Sequence, residues 1–179
     1  MACIGSISSD MLFTCGIPPQ APLSEIQECV LINASDIVSY ASEGSSGDVA
    51  ITRVAGTKGW VLDSKRSVTM TTALKNSDIG YPTLDPTFTI TPWGEGNAMT
   101  VAAGNYRGLA AAELVFAVKH AGMYLVYGLG NPLTCLSAEG DSSASEYARY
   151  VFGIEDWQIG TTCFSISAAA YEALKTAAA

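Results

Sequence analysis

Arg66-Ser67-Val68-Thr69-Met70-Thr71-Thr72-Ala73-Leu74 is the stretch on which the fold turns. Val68, Met70, Thr72 and Leu74 fall on one side of an extended chain, and Ser67, Thr69, Thr71 and Ala73 on the other. A period of two with β-branched residues marks a half-buried strand. Thr87-Phe88-Thr89-Ile90-Thr91 repeats the pattern between Pro86 and Pro92, and Thr162-Cys163-Phe164-Ser165-Ile166-Ser167 repeats it with Phe164 and Ile166 inward. Apolar runs at 28–32, 49–54, 59–62, 99–102, 123–127 and 150–154 complete a set of about eight or nine strands, which closes as a sandwich or barrel. The sequence therefore predicts a mainly β fold.

One segment breaks the period. Between 109 and 121 the chain is rich in alanine, and Ala111, Leu114, Val115 and Val118 stand at i, i+3, i+4 and i+7, with Gly122 placed as a C-cap. This predicts an α-helix over 109–121 flanking the sandwich. The competing reading is a strand over 113–120 that turns at Ala121-Gly122 into 123–127. A short C-terminal helix is expected over 167–175, with 176–179 frayed. Loops are expected at 17–22, 42–48, 75–85 and 138–145, each too short to be an interdomain linker, and no internal repeat occurs, so residues 1–179 read as one domain.

With 49% apolar and 15% charged residues, the chain can build a core and is not disordered. Nine Lys and Arg against seventeen Asp and Glu leave a net charge of −8, which opposes a general grip on phosphates. No apolar run has the roughly 18 to 20 residues of a membrane span, and residues 1–10 lack the Lys or Arg that opens a signal peptide. The expectation is a protein that neither spans a membrane nor leaves the cell by its own leader.

Five cysteines, at 3, 15, 29, 135 and 163, form no Cys-x-x-Cys pair, and His120 is the one histidine. Buried reduced thiols and a structural imidazole are the expectation. There is no G-x-S-x-G, and Gly128-Leu129-Gly130-Asn131-Pro132-Leu133 carries only the first two glycines of a dinucleotide fingerprint, so it reads as a turn after a strand. Glu139-Gly140-Asp141 lacks an EF-hand's ligand count. No catalytic, cofactor-binding or metal-ligating residue is assigned, and the chain reads as no enzyme.

A soluble monomer carries about a quarter of its residues as charges. At 15%, part of this surface is expected to be covered by other copies, whose strands can pair with sheet edges that need no other protection. The run Tyr124-Leu125-Val126-Tyr127-Gly128-Leu129-Gly130-Asn131-Pro132-Leu133-Thr134, the polar loop after it, then Tyr150-Val151-Phe152-Gly153-Ile154-Glu155 leading to Thr162-Cys163-Phe164-Ser165-Ile166, resembles tail tube proteins of tailed bacteriophages. The opening Met1-Ala2-Cys3 and the strand near Ile32 followed by Asn33-Ala34-Ser35-Asp36-Ile37 are similar to some members.

The resemblance implies a structural virion protein: a sandwich with one flanking helix, assembled in the host cytoplasm into hexameric rings that stack as a hollow tail. Genome DNA would pass through the lumen without tight binding, and other tail proteins would be partners. Acidic charge in the lumen would let the DNA slide. The sequence also offers contacts between copies. Arg53, Lys58, Lys65 and Arg66 gather nearly half of the basic residues in one segment, and Glu43 and Asp48 flank an acidic loop that could meet them on the next subunit. A tail terminator, head-tail connector, baseplate piece, capsid decoration or β-sandwich binding module is the alternative.

Overall fold

Two runs of consecutive apolar residues, Cys29-Val30-Leu31-Ile32 and Leu114-Val115-Phe116-Ala117-Val118, set the architecture, because every one of them is buried. Side chains of a strand alternate between faces, so such a run needs cover on both sides of its sheet. The computed structural model describes residues 26–43, 47–62, 68–76, 82–91, 108–139, 149–154 and 163–178, with 74–76 and 82–84 described by their backbone. Along these the order is β1 (Ile26–Asn33), a 3-10 turn (Ala34–Asp36), β2 (Ile37–Glu43), β3 (Asp48–Arg53), β4 (Trp60–Leu62), β5 (Val68–Asn76), β6 (Pro82–Ile90), β7 (Leu114–His120), β8 (Met123–Tyr127), β9 (Thr134–Glu139), β10 (Arg149–Gly153), β11 (Cys163–Ser165) and α1 (Ala168–Leu174).

The strands form a five-stranded sheet, β11-β8-β7-β1-β4, a four-stranded sheet, β5-β6-β10-β9, and a two-stranded ribbon, β2-β3, all antiparallel. Cys29, Leu31, Leu114, Phe116 and Val118 enter the core between the two larger sheets. There Phe116 stacks on Phe88 at 4.5 Å between centroids, and Phe88 and Phe152 lie 5.4 Å from Tyr127 and Phe116 respectively, an offset and edge-on cluster that ties β6 and β10 to β7 and β8. Val30, Ile32, Val115, Ala117 and Val126 face the other way, into a second core closed by Tyr171 and Leu174 of α1 and by Val49 of β3. The expected mainly β sandwich is the observed architecture, with the short C-terminal helix in place: Ser167 Oγ accepts the Ala170 N–H at 3.2 Å as its N-cap.

The helix expected over 109–121 is not there. Its start is one turn, with Gly108 O accepting from the Ala111 N–H and Leu109 O from the Ala112 N–H, and its remainder is β7, the centre of the five-stranded sheet. The cause is burial on both faces. A strand with no polar side has no alternation, and any continuous apolar run also satisfies a helical spacing. Ala121 (φ 49°) and Gly122 (φ 80°) then join His120 to Met123 as a two-residue turn with both central residues left-handed, which matches the twist of the strands it connects.

Expected loops shrink because strands run further. β2 extends through Glu43, β5 through Asn76, β6 begins at Pro82, and β9 extends through Glu139. The strand expected at 99–102 and the loop at 17–22 lie outside the described residues. Proline within β6 has a local reason. Among the described residues β10 pairs with β6 at 88–90, so Pro82 and Pro86 sit where β6 pairs there with β5 alone and a missing N–H costs no ladder bond on the other side. Among the described residues, β5 and the first half of β6 thus run past β10 as a two-stranded extension. Nor is the tail frayed at 176–178: the Gly56 N–H donates to Ala178 O at 3.0 Å and the Ala178 N–H donates to Thr57 O at 2.8 Å.

Candidate functional site

Of the six residues expected to mediate contacts between copies, Arg53 has another task. Its guanidinium donates to the backbone oxygens of Ala173 (2.9 Å), Leu174 (3.0 Å), Thr176 (3.1 Å) and Thr57 (3.1 Å). The last carbonyls of a helix lack partners within it and carry its negative dipole end, and a guanidinium is the side chain whose fork can serve several at once. Arg53 is therefore the clasp of α1. Burial draws its pKa below the ordinary value, and the Asp36 carboxylate opposes that shift.

Lys58 lies over the Trp60 ring at 4.7 Å from its centroid. Glu43 and Asp48 come together as cross-strand partners at the end of the ribbon where the chain passes from β2 to β3. Lys65 and Arg66 lie outside the described residues. The structure thus gathers the acidic pair and separates it from Arg53, at the other end of β3. His120 ends β7 in the hairpin with β8. Cys29 is buried, Cys135 half-buried and Cys163 exposed, all as free thiols, so Cys163 departs from the expected burial. Burial pushes the Cys29 thiol far above its ordinary pKa, with Glu28 adding to the shift, which makes it an inert core group. Residues 128–133 form the turn after β8: Gly128 and Gly130 have positive φ, Leu129 and Leu133 are buried, and Leu133 bridges to Leu114. Among the described residues no three His, Cys, Asp or Glu gather as a metal site, and no helix is long and apolar enough to cross a membrane.

What sequence reasoning missed is β2. It is exposed along almost its whole length on both faces, pairs with β3 alone among the described residues, and carries Val38 and Tyr40 at 64% and 41% exposure. A slot of about 410 Å³ runs between it and the turn after β8, lined by residues 37–40 on one side and by Leu129, Gly130 and Pro132 on the other. Tyr40 closes one end, its ring 5.9 Å from Phe164 and its hydroxyl over Gly130, where an added Cβ would come within 2.6 Å of it. The signal was present in the β-forming residues Ile37-Val38-Ser39-Tyr40. The lining of the slot holds no Cys, His, Asp, Glu, Lys or Arg. It offers backbone hydrogen-bonding groups beside apolar walls, the chemistry of docking.

No protein-family model matches the chain, and neither a curated protein nor a solved structure does.

Proposed function

We propose that the protein is a structural component of a phage tail, assembling through its sheet edges into stacked rings that form a hollow tube. The observation that carries this reading is the pair of long strands that stand at sheet edges among the described residues, β2 with seven residues and β5 with nine. Soluble monomers blunt such edges with proline, inward charge or a covering element. Here neither strand contains proline, and Glu43 and Lys75 at their ends are their only charged residues. With 15% of its residues charged, the chain has few charges to set along those edges.

Edges on different strands make a head-to-tail contact, which closes into rings or winds into a filament. In such a tube each copy brings a net charge of −8, and a surface poor in cations lets a polyanion pass without holding it. The virion tail is then where the protein resides, with other tail proteins and the passing DNA as its partners.

Negative-stain electron microscopy across a concentration series, with mass measured in parallel, tests the reading. Rings stacking into hollow tubes of uniform width are expected. Rings that never stack would point to a terminator or connector. A protein that stays monomeric at high concentration would overturn the reading in favour of a β-sandwich binding module, which the slot beside β2 would serve.

A further inference from the structure

The β2-β3 ribbon is an excursion from the five-stranded sheet. The chain leaves that sheet at the end of β1 and returns to it at β4, where Leu31 and Trp60 pair, so the two stems of the ribbon stand side by side. Both stems are fastened. The Ala34 N–H donates to Glu113 O at 2.9 Å, the Val54 N–H to Asp36 O at 2.8 Å and the Gly59 N–H to Leu174 O at 2.7 Å, while Arg53 grips the end of α1. Just beyond the stems the ladder changes register. Ile37 pairs with Arg53 and Ser39 with Thr52, which leaves Val38 as the extra residue of a bulge, 64% exposed. A bulge interrupts the ladder and lets its strand bend.

Past the bulge the ribbon rests on the second core through side chains. Val49 is buried, Ile51 is half-buried, and the Tyr40 ring lies 5.9 Å from that of Phe164. Both backbone edges of the ribbon border open space. Residues 37–40 line the slot on the β2 side, and residues 49–51 line a second gap, of about 180 Å³, between β3 and α1. Neighbouring side chains of a strand point to opposite faces, so a wall built of consecutive residues is a backbone edge. The two gaps share a floor, because Val115 and Leu129 in the first and Ile166 and Leu174 in the second all belong to the second core.

We propose that residues 39–43 and 48–52 form a flap, hinged at the Val38 bulge, that lifts as one body and joins the two gaps into an apolar groove over the second core. The two strands are held to each other by their ladder, so they move together. An element with few buried side chains and exposed backbone hydrogen bonds opens at a lower free energy than the core beside it, and a hinge is a few residues at the end of an element that absorb the bend. Tyr40 is the latch. Its hydroxyl reaches over Gly130, where an added side chain would displace it, and its ring leans on Phe164. The flap is a property of the single chain and does not depend on whether copies assemble.

Residue-resolved amide hydrogen exchange tests this on the full-length chain, diluted until its mass is that of one copy. The ladder amides between 39 and 52 should share one exchange rate, at least about tenfold above that of the stem amides of Ala34, Val54 and Gly59. Tyr40→Ala should raise that shared rate by about tenfold, through the loss of one aromatic contact, and leave the stem amides unmoved. Ribbon and stem exchanging at one rate, or a Tyr40→Ala effect confined to the amides next to it, overturns the proposal. Thiol alkylation gives a second reading that a fraying strand would not move. The new thiol of Val49→Cys is covered by the flap, and the buried Cys29 of the same molecule is the reference for global unfolding. Alkylation at position 49 should outrun that at Cys29 by about tenfold or more, and further when Tyr40→Ala is added. Equal alkylation of the two thiols overturns the flap.

Discussion

Arg53 shows how one side chain can hold an element too short to hold itself. α1 has seven residues, below the roughly 12 to 15 that an isolated helix needs in water. Its apolar side supplies Tyr171 and Leu174 to the second core, and its far end is fastened by three hydrogen bonds from one guanidinium, to the oxygens of Ala173, Leu174 and Thr176, while a fourth ties the guanidinium to Thr57 O. Replacing Arg53 by Ala strips the charged donors from four carbonyls, of which those of Thr57 and Leu174 are partly shielded from water, and a loss of roughly 2 kcal/mol is expected. Arg53→Lys should recover less than half of it, since an ammonium cannot span the same oxygens. Urea denaturation measures both, and hydrogen exchange should show the Ala178 amide losing protection first. An Arg53→Ala chain within about 0.5 kcal/mol of wild type would mean that core packing alone holds α1. The salt bridge from Lys175 to Glu28 at 2.5 Å is partly exposed, and Glu28→Gln should cost no more than about 1 kcal/mol.

At the scale of elements, the β7-β8 hairpin carries a clear prediction, because its turn holds a residue poorly suited to it. Ala121 occupies a left-handed conformation at φ 49° without glycine's freedom or the local hydrogen bond that asparagine makes. Ala121→Asn creates the Asn-Gly pair that this turn prefers and should raise stability by about 0.5 to 1 kcal/mol. Gly122→Ala at φ 80° should lower it by about 1 kcal/mol. Thermal denaturation of the two variants decides, and shifts of the same sign would contradict the turn assignment. At α1, Ser167→Ala removes the N-cap and should cost about 1 kcal/mol. How legible each element was follows from its surroundings. β5, β6 and β11 place apolar residues toward the core and threonine or serine away from it, and alternation found them. α1 was legible from its run of alanines without glycine. β7 was misread because two cores bury both its faces. β2 was passed over because neither face is buried, so hydrophobic patterning had nothing to register. For the same reason the site was only half visible: Glu43 and Asp48 were chosen for charge, while the strand that joins them to the slot was not seen.

At the scale of the whole molecule, the most shifted groups among the described residues are acids that stay neutral. Cys29 and Tyr127 lie in the core between the sheets and Tyr171 in the core beneath α1. Burial raises all three above their ordinary values of 9.0 for the thiol and 10.0 for the phenols; the Cys163 side chain adds to the shift at Tyr127, and Cys29 and Glu28 add to it at Tyr171. In the unfolded chain these groups release protons as pH passes 9.0 and then 10.0, while the folded chain still holds them. The unfolded state then binds fewer protons, so stability is fully present below about pH 8 and falls as pH rises, by up to about 1.4 kcal/mol per pH unit for each group engaged. Lys175 acts in the same direction at higher pH: burial works against its charge, but hydrogen bonds to Glu28 and Glu172 hold its pKa above 10.5, and the stability they give is lost as the ammonium deprotonates. Urea midpoints at pH 7, 8, 9, 10 and 11 should therefore be level between pH 7 and 8 and decline with increasing slope above 9. Cys29→Ala tests the origin of the first part. It lowers stability at every pH by leaving a small cavity, yet it should make the decline between pH 8 and 10 shallower, because the thiol, at 9.0, is the first of the three to titrate in the unfolded chain and the phenols follow at 10.0. A slope there that matches wild type would place the alkaline sensitivity elsewhere, in repulsion among the excess carboxylates as the lysines lose their charge.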